Sequence, residues 1–260
     1  MLQSSDSNAP TSTEDTPISD YRTRIYGSYV DGREHALAPA TIGGLRPRAP
    51  YLEKMVRDHF PTDRDAVVLD LGCGHGALIY FAQSAGYRNV QGIDRSPQQV
   101  AAAKSLGIAG VVEGDLLETL RLSPSGSVDA VVTFDVIEHF RKDELVHFVD
   151  EVRRVLRDGG RWIIHVPNGE SPFAGRMLYW DFTHELCFTR TSMAQLLMSS
   201  GFAGVRCYED APVPHGFKSS VRWLLWQAIR GGLLLYTAIE TGAFDRDCVF
   251  SQNLLAVAVK

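Results

Sequence analysis

The segment Val67-Val68-Leu69-Asp70-Leu71-Gly72-Cys73-Gly74-His75-Gly76-Ala77 joins an apolar run to an acid and three alternate glycines. Residues of these types in this order suit the binding of a nucleotide-like ligand. A run of Val and Leu makes a buried parallel strand. Glycines at its carboxyl end allow a tight turn and let a ligand approach the backbone closely. The helix expected from Ala77 turns its unpaired N–H groups to the same place. The glycine spacing also fits a dinucleotide fingerprint, G-x-G-x-x-G/A, through Gly72, Gly74 and Ala77. A second acid, Asp94 in Gly92-Ile93-Asp94, ends the next apolar run, where a carboxylate can accept both hydroxyls of a ribose. Ser96 already serves as N-cap of the helix that follows, so capping does not account for Asp94.

Such a site must be positioned by alternating strands and helices. Tyr51 to Phe60 reads as a helix stopped by Pro61, and Ala77 to Ala85 as a helix closed by Gly86. Val90 to Asp94 is a second strand; Ser96-Pro97 starts a helix that Gly107 ends. Gly110 to Glu113 and Val128 to Phe134 are strands three and four, and Asp143 to Leu156 is helical. Asp158-Gly159-Gly160 turns into a fifth strand, Trp162 to Val166. Thr191 to Ser200 is a helix, and Val205 to Glu209 and Gln252 to Val259 are the last two strands. Strands separated by helical runs predict parallel β-α-β units with right-handed crossovers.

Composition narrows the class. The chain of 260 residues is 45% hydrophobic and 22% charged, the profile of a globular domain. Its formal net charge of −5 argues against a general nucleic-acid binder, so no nucleic-acid partner is expected. Four dispersed cysteines without a C-x-x-C pair read as reduced, mostly buried thiols. The first residues carry neither a basic nor an apolar signal region, and no transmembrane segment is evident, so a cytoplasmic location is expected. Residues 1–20 are rich in Ser, Thr, Pro and Asp and read as a disordered tail. Tyr21-Arg22-Thr23-Arg24-Ile25-Tyr26-Gly27-Ser28-Tyr29 reads either as a lid or as a segment packed on the body.

Further motifs follow in order. They are Glu113-Gly114-Asp115-Leu116, Phe134-Asp135-Val136-Ile137-Glu138-His139-Phe140, Leu156-Arg157-Asp158-Gly159-Gly160, and the segment from Asp181-Phe182-Thr183-His184 to Phe188-Thr189. With the glycine turn, they make the chain from about Tyr51 to Phe202 resemble the class I S-adenosylmethionine-dependent methyltransferases, in the branch with a D/E-x-x-E-H segment that acts on small molecules, quinone precursors and sugars. The resemblance implies an α/β, Rossmann-like sheet of seven strands, mostly parallel with an antiparallel seventh strand, helices on both faces, and one such domain over residues 21–260. It implies S-adenosylmethionine as cofactor, held by Asp70, Gly72, Gly74, Gly76, Asp94, Asp115, Leu116 and Asp135, with Asp115 accepting from the adenine amino group and Leu116 against the ring.

The reaction implied is an in-line displacement of methyl from a sulfonium. An alcohol attacks poorly unless its proton is leaving, so O-methylation needs a base or a metal beside the acceptor. The candidates for catalysis are His139, His184, Asp135 and Asp181, with a structural role for His139 as the alternative. Some relatives with this motif and a later histidine hold a divalent metal. That alternative makes Asp135, Glu138, His139 and His184 ligands of Mg²⁺ or Mn²⁺. The expected acceptor is a small-molecule hydroxyl, preferably of a sugar, glycan or natural-product intermediate. The pattern looks like that of methyltransferases from bacterial glycan and secondary-metabolite pathways. N-methylation of an amine is the alternative, with a non-catalytic cofactor-binding scaffold last.

Pro212 to Phe244 has no place in the minimal fold. It is apolar, but Arg222, Arg230 and the pair Gly231-Gly232 argue against a spanning helix. It reads as a helical insertion between strands six and seven that walls the acceptor site or forms a homodimer contact, with a membrane-surface helix as a further alternative.

Overall fold

A computed structural model of the chain describes Ile25 and residues 38–260. The tail expected over residues 1–20 lies outside them, as does the lid expected at 21–29 apart from Ile25. A 3₁₀ turn, Ile42–Arg48, leads into α1, Ala49–His59. Then follow β1 Val67–Leu71, α2 Ala77–Ser84, β2 Asn89–Asp94, α3 Pro97–Ser105, β3 Val111–Glu113, α4 Leu116–Leu122 and β4 Val128–Phe134. A short 3₁₀ turn, Ile137–His139, precedes α5 Lys142–Val155, β5 Leu156–Pro167, α6 Ala174–Leu178, α7 Arg190–Ser199, β6 Gly204–Glu209, α8 Phe217–Thr241 and β7 Asn253–Val259.

The strands form one seven-stranded sheet in the order β3-β2-β1-β4-β5-β7-β6. Every pair is parallel except those of β7, which runs antiparallel between β5 and β6. Buried apolar residues fill both faces, one cluster centred on Phe148, Trp162 and Leu254 and the other on Leu52, Ile79 and Ile163. That two-sided burial explains why β1 and β4 read as near-continuous apolar runs. Strand order reverses between β1 and β4, so a crevice opens at their carboxyl ends. The Gly72 N–H donates to the Ile93 carbonyl at 2.8 Å, which brings the glycine turn beside the end of β2.

Three local readings change. The helix α4, absent from the expected elements, starts at Leu116 because the Asp115 carboxylate accepts from the backbone N–H groups of Leu117 and Glu118, each at 3.0 Å. β5 begins at Leu156 rather than Trp162, and Asp158-Gly159-Gly160 is an irregularity within it where the register with β4 shifts. The insertion is a single helix, α8, continuous through Gly231 and Gly232. Among the described residues, no helix is long and apolar enough to cross a membrane.

Candidate active site

Gly72, Gly74 and Gly76 all have positive φ, at 77°, 56° and 78°. A Cβ on Gly72 would lie 2.5 Å from Val136 Cγ2, and one on Gly76 2.7 Å from Val111 Cγ2. The turn is therefore held tight against β3 and the segment that follows β4. The Gly74 N–H donates to Asp94 Oδ2 at 2.7 Å, and the Ser96 N–H to Asp94 Oδ1 at 2.9 Å. Asp94 thus braces the glycine turn while keeping lone pairs for a ligand. Asp70 is buried and its Oδ1 has no hydrogen-bond partner. Burial, reinforced by the charge of Asp94 and opposed by Arg48, pushes its pKa up to about 7. An orphaned carboxylate oxygen at a cradle that excludes side chains fits the positively charged amino-acid end of S-adenosylmethionine. Asp115 is committed through Oδ1 to capping α4.

A second group gathers at the ends of β4, β5 and β6. The buried His165 donates from Nδ1 to Asp135 Oδ1 at 2.6 Å and from Nε2 to Asp210 Oδ2 at 3.3 Å. Burial by itself disfavours the imidazolium, but the charge and hydrogen bond of Asp135, aided by Asp210, raise its pKa to about 10. Phe134 stacks on the His165 ring at 3.9 Å, and the Arg48 guanidinium lies 5.6 Å from the Phe134 ring centre. The sequence analysis singled out neither His165, Asp210 nor Arg48.

The third group joins the 3₁₀ turn after β4 to the loop before α7. The Glu138 backbone carbonyl accepts from the N–H groups of Glu185 and Leu186, at 2.8 and 3.0 Å. This brings Glu138, His139 and His184 together, with one potential ligand atom of each within 4.8 Å of the others. The Glu138 carboxylate is fully buried and neither oxygen has a hydrogen-bond partner. Burial pushes its pKa well above the usual carboxylate range. His139 Nδ1 lies 2.9 Å from Thr183 Oγ1, and that hydroxyl donates to Asp181 Oδ1 at 2.8 Å. Because the hydroxyl proton is committed to Asp181, Nδ1 carries the ring hydrogen and Nε2 the lone pair. Burial, with the nearby His184, lowers the pKa of His139 to about 4. His184 donates from Nδ1 to the Met177 carbonyl at 3.0 Å, which leaves Nε2 4.0 Å from Glu138 Oε1. Two imidazoles around an orphaned buried carboxylate fit a divalent cation.

Two of the expected assignments change here. Asp135 does not join the Glu138 cluster, because its Oδ1 is taken by His165. Asp181, named as a catalytic candidate, is buried, and its Oδ1 accepts from both the N–H and the hydroxyl of Thr183.

Residues 68–160 match a family described as a methyltransferase domain. The chain is 33% identical over 159 residues to ajmaline N-methyltransferase of Rauvolfia serpentina, covering 56% of this chain and 52% of that protein. It is 30% identical over 221 residues to a probable S-adenosylmethionine-dependent methyltransferase of Mycobacterium tuberculosis, covering 76% and 78% respectively. Thus the match spans about half the length of the plant relative and most of the mycobacterial one. The fold is that of a SAM-dependent methyltransferase structure from Archaeoglobus fulgidus, with TM-score 0.60, 19% identity, and coverage of 84% of this chain and 96% of that one. The sheet and its glycine turn define an α/β methyltransferase fold. The chain belongs to the S-adenosylmethionine-dependent methyltransferases.

Proposed function

We propose that the protein methylates a hydroxyl of a small-molecule acceptor, with Glu138, His139 and His184 holding a divalent cation beside it. The buried, unpartnered carboxylate of Glu138 carries this reading. A carboxylate in that position is expensive to bury unless a proton or a cation answers it. S-adenosylmethionine supplies the electrophilic methyl carbon, and Mg²⁺ or Mn²⁺ would lower the pKa of the bound hydroxyl. His139 presents a neutral ring nitrogen, the form that ligates a metal or accepts a proton, and His184 turns Nε2 toward Glu138. Thr183 and Asp181 fix the His139 ring, and the Met177 carbonyl fixes that of His184. Tyr179, Trp180 and Phe182 lie exposed on the segment that carries His184. Their faces suit an acceptor with an apolar side, such as a sugar ring or a natural-product skeleton.

N-methylation is the second reading. It is favoured by the ajmaline N-methyltransferase relative and by the exposed side chain of Asp135, which could accept a hydrogen bond from the N–H of a free amine. Calorimetry with Mn²⁺ on the wild type and on Glu138→Gln tests the cation site directly. The proposal expects binding that the variant loses, together with activity that a chelator abolishes and Mg²⁺ or Mn²⁺ restores. Unchanged turnover in chelator with no metal uptake would leave His139 as a metal-free base. An acceptor panel of alcohols and amines separates the two transfer classes.

A further inference from the structure

α8 packs on the body along one face only. Ser219 and Leu234 are buried, and Trp226 Nε1 and Arg230 Nε both donate to Glu209 Oε2, at 3.3 and 3.0 Å. At 100° per residue these positions share one side of the helix. Phe217, Val221, Leu224, Ala228, Gly231 and Leu235 lie on the opposite side, and all six are exposed. Their spacing alternates four and three residues throughout, the seam that one helix offers to another.

The glycine pair adds an independent observation. Gly231 and Gly232 stand in the interior of a continuous helix, where glycine weakens the helix relative to almost any other residue. Among the described residues, a Cβ on either would meet nothing within 4 Å, so none of them calls for glycine there. A gap of that kind in an apolar seam lets a second backbone approach closely, with large residues filling the space.

We infer that α8 pairs antiparallel with α8 of a second copy, about a two-fold axis near Ala228. That axis sets Leu224 and Leu225 of each copy against Gly232 and Gly231 of the other. It sets Val221 against Leu235, and Phe217 against Ile239. Lys218, Arg222 and Glu240 run along a single flank of the seam. Antiparallel pairing brings each copy's cationic end to the other's Glu240, and a parallel pair would not. A lipid surface is a poorer occupant. The flank offers only two cations, the chain carries a net charge of −5, and a glycine pair gives little apolar area to acyl chains.

Sedimentation equilibrium of the full chain over a concentration series tests the pairing. The wild type is expected to dimerise. Gly232→Leu is expected to raise the dimer dissociation constant at least about tenfold while retaining the circular dichroism spectrum and an unchanged or higher Tm. Glu240→Lys is expected to weaken the dimer, and Lys218→Glu added to it to restore it. A monomeric wild type, a Gly232→Leu variant that dimerises like the wild type, or a charge swap without rescue would overturn the inference. So would a monomer that binds anionic phosphatidylserine vesicles through α8.

Discussion

His165 Nδ1 lies 2.6 Å from Asp135 Oδ1, and Asp135 has a φ of 55°, the left-handed region that non-glycine residues avoid. The bond ties the end of β5 to the first residue after β4, where the chain turns toward Glu138 and His139. The Asp135 backbone N–H also donates to the His165 carbonyl, at 3.0 Å.

The stability of the fold should depend on this pair in alkaline solution. The folded pKa of His165, about 10, is raised above its ordinary 6.5. Its contribution is complete below about pH 6.5 and is lost as pH rises through about 10. The Tm of the wild type is expected to fall between pH 7 and pH 10 more steeply than that of His165→Gln. Parallel slopes for the two proteins would refute a charged His165.

Asp70 carries the opposite sign. Its folded pKa of about 7 lies above the unfolded carboxylate value, so the unfolded chain ionises first. Stability should therefore fall as pH rises from about 4 to about 7 and then level. Asp70→Asn is expected to raise the Tm by a few degrees at pH 8 and by little at pH 5. The same change should weaken S-adenosylhomocysteine binding at least about tenfold, the scale of a lost charge-assisted interaction. Calorimetry in buffers of different ionisation heat should show proton release on binding by the wild type alone.

The sheet was legible because its strands are buried on both faces and punctuated by glycine. Val67–Leu71 and Val128–Phe134 are apolar runs bounded by turns, and periodicity is a local property. α4 was hidden because seven residues give barely two turns of period, and its cap, Asp115, suggested a ligand contact instead. A cap followed by a glutamate three residues on was the available signal. The acids expected at the cofactor lie next to the glycine turn in sequence or at successive strand ends, so one rule of α/β sheets picks them out. His165 gave no such sign, being one polar residue inside the apolar run Trp162–Val166 whose partners lie 30 and 45 residues away in sequence. Arg48 likewise reaches Phe134 only through the packing of α1. The Glu138 cluster could be named in part from its motif. The tertiary hydrogen bond between Asp135 and His165 keeps Asp135 out of it, and no local pattern announces that bond.

Thr183 connects Asp181 to His139 and touches no reacting atom in the proposed mechanism, so it serves as a test of positioning. Thr183→Val keeps the shape and removes the hydroxyl. It is expected to lower kcat by about 10–100-fold, the usual effect of losing the group behind a ligating or basic histidine. S-adenosylhomocysteine affinity should stay close to wild type, and Thr183→Ser should recover most of the rate. A Thr183→Val enzyme of full activity would remove the relay from the mechanism.

Asp115 offers a test that separates a structural from a binding role. Oδ1 accepts from the Leu117 and Glu118 N–H groups, and the family resemblance assigns the carboxylate a further contact with the adenine amino group. Asp115→Ala removes both and is expected to lower stability by about 1 kcal/mol through the lost cap. Asp115→Asn is as good a cap, since its amide oxygen takes the place of Oδ1. Its NH₂ group, however, would meet the adenine amino group donor to donor. Asn is therefore expected to unfold at the wild-type temperature yet bind S-adenosylhomocysteine several-fold more weakly, by thermal denaturation and calorimetry on the same samples. Wild-type affinity in Asp115→Asn would confine Asp115 to capping α4 and leave adenine recognition to other residues.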